Sequence, residues 1–133
     1  MTTDREQTQA QITQWALDAF GPAANTVQQR VIRLVEEAIE LAQAENANPD
    51  TLHKLINHVY AKPVGKPAQE VGGVAVCLLA YCGVAQLSLV ECEATEVARV
   101  LAMPIEQFRM RHAAKVLAGI AEGDVVVDTL GGV

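Results

Sequence analysis

Residues 67–85 read PAQEVGGVAVCLLAYCGVA, and this stretch decides the fold class. Proline at the first position presets φ for a helical start and loses no intrahelical hydrogen bond. From Val71 to Ala85 the residues are apolar on nearly every side of a helical wheel, the pattern of a helix buried all round. The apolar run from Val71 is about 15 residues long and broken by glycines, which reads as too short to span a bilayer. A helix of this kind is hard to cover within a chain of 133 residues. The pattern therefore predicts a homo-oligomer, dimer or tetramer, in which a second subunit buries it or a face beside it.

Outward from that helix, the punctuation is helical throughout. A first helix is expected from Asp4 to Phe20, stopped by Gly21-Pro22. A second runs from Asn25 to Asn46. Asn48-Pro49-Asp50 supplies an N-cap, a proline at the first helical position and an acid in the first turn, opening a short helix to Tyr60. AKPVGKP, residues 61–67, is a loop, and the apolar helix continues to Gln86. Ser88 with Glu91 three residues on is a capping box that opens a last helix through Ala118. Pro104 must kink or split it. GIAEGDVVVDTLGGV, residues 119–133, lacks a helical period; its DVVVD suits a short strand, an extended segment on a partner, or a loose tail. The expected architecture is all-α, a four-helix-type bundle with a kinked C-terminal helix, in one domain of residues 1–118 followed by an irregular tail, 119–133.

Composition narrows the function classes. Half of the residues are hydrophobic but only 4% are aromatic, so the core is Ala, Val, Leu and Ile, which suits close helix packing. The net charge of −6 argues against a nonspecific nucleic-acid or membrane-surface binder, since either needs a basic face. The three cysteines, Cys77, Cys82 and Cys92, lack metal-ligand spacing; Cys77 and Cys82 lie on the apolar helix and read as buried free thiols. The N-terminal MTTDREQTQAQ is polar, without a signal-peptide pattern, and a reducing cytoplasm fits these features.

Four carboxylates carry the chemistry. Glu36, Glu37 and Glu40 lie in VIRLVEEAIELAQAEN, residues 31–46, within an arc of about 100° on a helix. Like charges so close repel by a few tenths of a kcal/mol per pair, and a divalent cation would reverse that sign. Carboxylate oxygens are hard ligands suited to Mg²⁺ or Mn²⁺. The plain alternative is a solvated acidic face opposite the apolar stripe of Val27, Val31, Leu34, Val35, Ala38, Leu41 and Ala42, with Arg33 offsetting Glu37 at i,i+4. Glu70 heads the apolar helix on a face with Val74, Cys77 and Tyr81. The pattern predicts it buried, where an ionised carboxylate costs several kcal/mol unless paired or metal-bound. The other reading leaves it wet in the first helical turn, favoured by the helix dipole.

EEAIE, followed some thirty residues later by Glu70-Val71-Gly72-Gly73 at the head of an apolar helix, resembles the MazG-like, all-α nucleoside triphosphate pyrophosphohydrolases. These carry EExxE on one helix and ExxD at the start of a later one. VYAKPVGKPAQEVGGVAV and EVARV…PIEQFRMRHAAK are similar to a branch of the family from phages and actinobacteria, so the resemblance covers residues 10 to 115. It implies cleavage of a nucleoside triphosphate, canonical or modified, to the monophosphate and pyrophosphate. It implies Mg²⁺ (or Mn²⁺) held by Glu36, Glu37, Glu40 and Glu70, with Glu36 or Glu37 also orienting the attacking water. The family's ExxD aspartate falls on Gly73, which has no side-chain ligand. That departure keeps an alternative open: a non-catalytic member that binds nucleotide or serves as an oligomeric interaction module.

The remaining candidates each have a plainer reading. Lys62 and Lys66 flank a glycine and reach phosphates, or are ordinary loop lysines. The resemblance implies a lysine and an asparagine near the phosphates on the last helix; neither falls on a matching position, Arg99, Met103 and Glu106 occupy the neighbourhood, and Arg99 is the candidate to replace the lysine. Arg109, Arg111 and Lys115 form a basic helix end, which helix-dipole complementarity explains without any ligand. Trp15, Tyr60 and Tyr81 offer stacking surfaces for a base, but Trp15 sits amid Ile12, Ala16, Leu17 and Ala19 as a core residue would. His53 and His58 are five apart and off one helical face, a poor metal pair, and His112 reads as structural.

Overall fold

A computed structural model describes residues 3–123, and all regular structure among them is helical. Six helices follow one another: α1 (Asp4–Ala24), α2 (Val27–Ala44), α3 (Pro49–Tyr60), α4 (Pro67–Ala85), α5 (Leu89–Ala102) and α6 (Ile105–Leu117). The protein is all-α, of the helical-bundle class. The expected DVVVD segment, 124–128, lies outside the described residues.

The breaks fall where the backbone chemistry requires. Thr3 and Glu6 close a capping box at the head of α1. Gly21 takes φ 74°, ψ 166° inside α1, a conformation that glycine adopts without a Cβ clash. The helical path therefore stops at Phe20, and a single turn follows, closed by Asn25 N–H donating to the Gly21 carbonyl at 2.9 Å. Asn48 caps α3 by accepting from Asp50 N–H at 2.9 Å. Ser88 accepts from Glu91 N–H at 3.2 Å at the head of α5. Pro104 splits the expected last helix in two, with φ −58° and ψ 134° as the N-cap of α6. Proline cannot donate the ladder hydrogen bond, and its ring crowds the preceding turn.

The chain divides into two compact units: Met1–Ala38 with Val100–Val133, and Ile39–Arg99. The sequence shows no linker because the boundaries fall inside helices α2 and α5. In the first unit α1 packs on α6. Ala16, Ala19 and Ala24 are buried there, and their small side chains let the backbones approach. Trp15 fills the centre, edge-on to Phe20 with centroids at 5.6 Å and to Phe108 at 4.9 Å. Phe108, with 7% of its surface exposed, anchors α6. Core packing thus accounts for Trp15. Truncating Phe108 to alanine is expected to cost about 3–5 kcal/mol, measured as a fall in the urea midpoint of the first unit followed through Trp15 fluorescence.

α2 turns its polar side to that core. Gln29 is 7% exposed, and Arg30, Arg33 and Glu36 are half-buried on the same face, whereas Val31, Leu34 and Val35 are exposed. The apolar stripe read from the sequence exists, and Val31, Leu34 and Val35 on it remain 44–50% exposed.

The second unit is more open. Helix α4 is exposed from Ala68 to Ala80 and is covered at Tyr81, Cys82 and Ala85, so the Cys82 thiol is buried as expected, whereas Cys77 is exposed because the helix face around it is uncovered. Val71 is 70% exposed and Val84 89%. On α3, Leu55, Ile56 and Val59 are exposed as well. At 19 residues, α4 is also long and apolar enough to cross a membrane by length and composition. The expectation of too short a span is corrected, because the helix counts from Pro67 rather than Val71.

Candidate functional site

The acidic residues sort by their partners. Arg33 pairs with Glu37 at i,i+4, as the spacing predicts, and lies 3.5 Å from Glu36. From α6, Lys115 brings its ammonium to 3.0 Å from Glu36. Two carboxylates and two cations thus form one array on the first unit. Glu40, one turn beyond Glu36 on α2, is exposed and has no ion pair among the described residues. Glu70 is exposed too, which corrects the expectation of burial: the apolar helix that should enclose it is itself uncovered. Its carboxylate bends over the loop, where a Cβ at Gly65 would collide with it. A larger residue at Gly65 would move the exposed Glu70 carboxylate aside rather than disturb the backbone.

A hard divalent ion suits these four side chains in kind, since all are carboxylates. The arrangement does not suit it. Among the described residues no three His, Cys, Asp or Glu side chains are gathered to hold one ion. Glu36 and Glu37 are neutralised by Arg33 and Lys115 instead.

The substrate-binding candidates are scattered. Arg109 donates to the Asp18 carbonyl at 2.9 Å and ties α6 to α1. Arg99 is bound to Glu96 on its own helix; that hydrogen bond holds the Glu96 carboxyl below its usual range. Lys62 and Lys66 are exposed in the loop before α4. Trp15 and Arg109 belong to the first unit, and Lys62, Lys66 and Arg99 to the second. Gly72 and Gly73 face open space, with nothing within 4 Å of a Cβ at either position, so no close approach within the chain explains them.

Three features of the first unit escaped the sequence. The Arg30 guanidinium stacks over the Phe20 ring at 4.3 Å, and burial beside Arg33 lowers its pKa. Gln29 accepts from Glu122 N–H at 2.8 Å. His112 meets the Glu122 carbonyl at 3.1 Å and the Phe20 ring at 5.4 Å. Together Gln29 and His112 strap the residues after α6 to the core. Gln29 with Glu122 and Phe20 with His112 join segments far apart in sequence, the other contacts cross from one element to the next, and helical periodicity carries no signal for any of them.

Burial lowers the His112 pKa from the ordinary 6.5; the bond to Glu122 opposes this, and Arg30 and Lys115 add to the lowering. The unfolded chain therefore takes up the proton first as pH falls. Stability is full above 6.5 and is lost as pH drops from there toward the lowered value. Urea midpoints between pH 8 and 5 are expected to fall in that window, and the histidine part of the fall should vanish in His112→Gln.

No family model, curated protein or solved structure matches the chain.

Proposed function

We propose that the protein is a nucleoside triphosphate pyrophosphohydrolase working as a homo-oligomer with Mg²⁺, or Mn²⁺, bound to Glu36, Glu37, Glu40 and Glu70. The observation that carries this reading is the state of the acidic helix. Glu36, Glu37 and Glu40 occupy adjacent turns of α2, and Glu40 is solvent-exposed with no positive partner among the described residues. Glu36 and Glu37 are held by Arg33 and Lys115, so Glu40 is the carboxylate of the three left open to a hard cation. When bound, it would neutralise charge developing on the phosphates. The chain's own contribution is the fixed spacing of these carboxylates and a carboxylate base, Glu36 or Glu37, to orient water.

Exposed area supports the oligomer. Leu55, Ile56 and Val59 on α3 and Val71, Val76 and Leu79 on α4 are 50–70% exposed, an apolar surface of the kind that marks an interaction site. The occupant proposed for the open faces of α2, α3 and α4 is a second copy, which brings the same apolar surface.

Gly73 favours a second reading, a non-catalytic nucleotide-binding or interaction member of the same architecture, because glycine stands where the family's aspartate would bind. One assay separates them: pyrophosphate release from a panel of nucleoside triphosphates with Mg²⁺ or Mn²⁺. Metal-dependent release supports the enzyme. No turnover but nucleotide-dependent thermal stabilisation supports the binder. Absence of both removes the nucleotide from either reading.

A further inference from the structure

Arg30 carries a charge that no described residue balances. Its guanidinium is half-buried over the Phe20 ring at 4.3 Å, and no carboxylate pairs with it among the described residues. Burial, and then the neighbouring Arg33, lower its pKa, yet an arginine stays protonated at neutral pH. The ring face offsets part of the lost hydration but is no counter-ion. Arg30 Nε is enclosed without a hydrogen-bond partner, and so is Nη1 of Arg33, almost one turn on. Glu36 stands 3.5 Å from that Nη1, at ion-pair range but without a hydrogen bond. Both orphans are donors, and buried donors left unsatisfied in a native chain call for a missing acceptor. The two terminal nitrogens of Arg30 are not among the enclosed atoms. The head of the guanidinium is therefore open while its Nε is shut.

We infer that the open end of Arg30, backed by the Phe20 ring, is a binding site for a single carboxylate. A water would satisfy an N–H but leave the charge. A guanidinium meets a carboxylate through two parallel charge-assisted bonds. The neighbours set the charge of the ligand. Arg33 and Lys115 are spent on Glu36 and Glu37, so Arg30 is the cation of this array left over among the described residues. Burial, with Arg30 and Lys115 adding to it, keeps His112 uncharged at neutral pH. A monoanion balances the surplus, whereas a dianion meets added repulsion from Glu36 and Glu37. The site uses neither metal nor phosphate and stands apart from the nucleotide reading. Two sources supply such a carboxylate: a free monocarboxylic acid, or Asp124 or Asp128 of this chain, which lie outside the described residues.

Trp15 is the one tryptophan of the chain and touches Phe20, so its fluorescence reports on the site. The full chain is titrated with sodium acetate against sodium chloride at equal ionic strength and neutral pH. Acetate is expected to give a saturable change that chloride does not. Arg30→Gln should weaken acetate binding about tenfold or more, the size of a lost charge-assisted pair. Arg30→Lys keeps the charge but loses the fork, and should also bind more weakly than wild type; it serves alone if melts show that Arg30→Gln fails to fold. Arg111→Gln removes an exposed cation of α6 and should bind like wild type. Inorganic phosphate above neutral pH, mostly a dianion, should bind more weakly than acetate. A response in Asp124→Asn/Asp128→Asn but none in wild type supports the site and makes the chain's own carboxylate its occupant. No saturable acetate response in either protein, or one that both Arg30 variants leave unchanged, overturns the site. Tighter binding of phosphate than of acetate overturns the carboxylate as its ligand.

Discussion

Glu40→Gln is expected to abolish metal-dependent release of pyrophosphate, by on the order of a hundredfold or more, while leaving the folded chain intact. The size follows from the role. Outer-sphere residues at metal centres already cost tenfold to a hundredfold, and an amide replacing a direct carboxylate ligand removes both a charge and a hard oxygen. The innocuous effect on folding follows from the structure: Glu40 is exposed and has no ion pair among the described residues, so no buried partner is orphaned. Removing a like charge beside Glu36 and Glu37 should, if anything, stabilise α2 by a few tenths of a kcal/mol. The check is pyrophosphate release beside a melt of the same sample. Full turnover in the variant rules out Glu40 as a ligand. Glu36→Gln is a poorer probe, because it also breaks the pair with Lys115.

Leu79→Glu is expected to have the other large effect, dissociating the assembly and melting the second unit. Leu79 lies at the middle of α4 and is 58% exposed in the single chain. In a monomer a glutamate there would be harmless, within about 0.5 kcal/mol as for other surface changes. In an interface it forces an ionised carboxylate into apolar surroundings, at several kcal/mol. The contrast makes the measurement decisive. Light scattering should give at least a dimer for wild type and a smaller species for the variant, with a melting temperature that falls on dilution. A wild-type chain that scatters as a monomer with a melting temperature independent of concentration refutes the second copy.

The sequence was legible where physics is local. Helix starts came from Asn48, Pro67 and Ser88, and helix stops from Gly21 and Pro104, because capping and ring sterics act within a turn. The Arg33–Glu37 pair was equally readable from its spacing. The orientation of α2 was not. Periodicity finds an apolar stripe but cannot say whether the chain itself covers it, and here the side with Gln29, Arg30 and Arg33 turns to the core of its unit. Glu70 was misplaced for the same reason: burial was inferred from the apolarity of its neighbours, and those neighbours are themselves exposed. Lys115 was readable as a helix-end charge and unreadable as the partner of Glu36, since that meeting depends on tertiary packing.

Exposure of α4 also bears on how the protein is made. If the proposed homo-oligomer forms, a newly synthesised chain that has yet to meet a second copy displays 19 helical residues with the hydropathy of a bilayer-crossing segment. Three fates then compete: self-association, aggregation through the same apolar surface, and capture by lipid. Association is second order in chain concentration and capture by lipid is not, so sparse expression favours misrouting. The Glu70 charge at one end raises the threshold for insertion. In the proposed oligomer that charge tilts the competition toward pairing at the moment when the chain is most vulnerable.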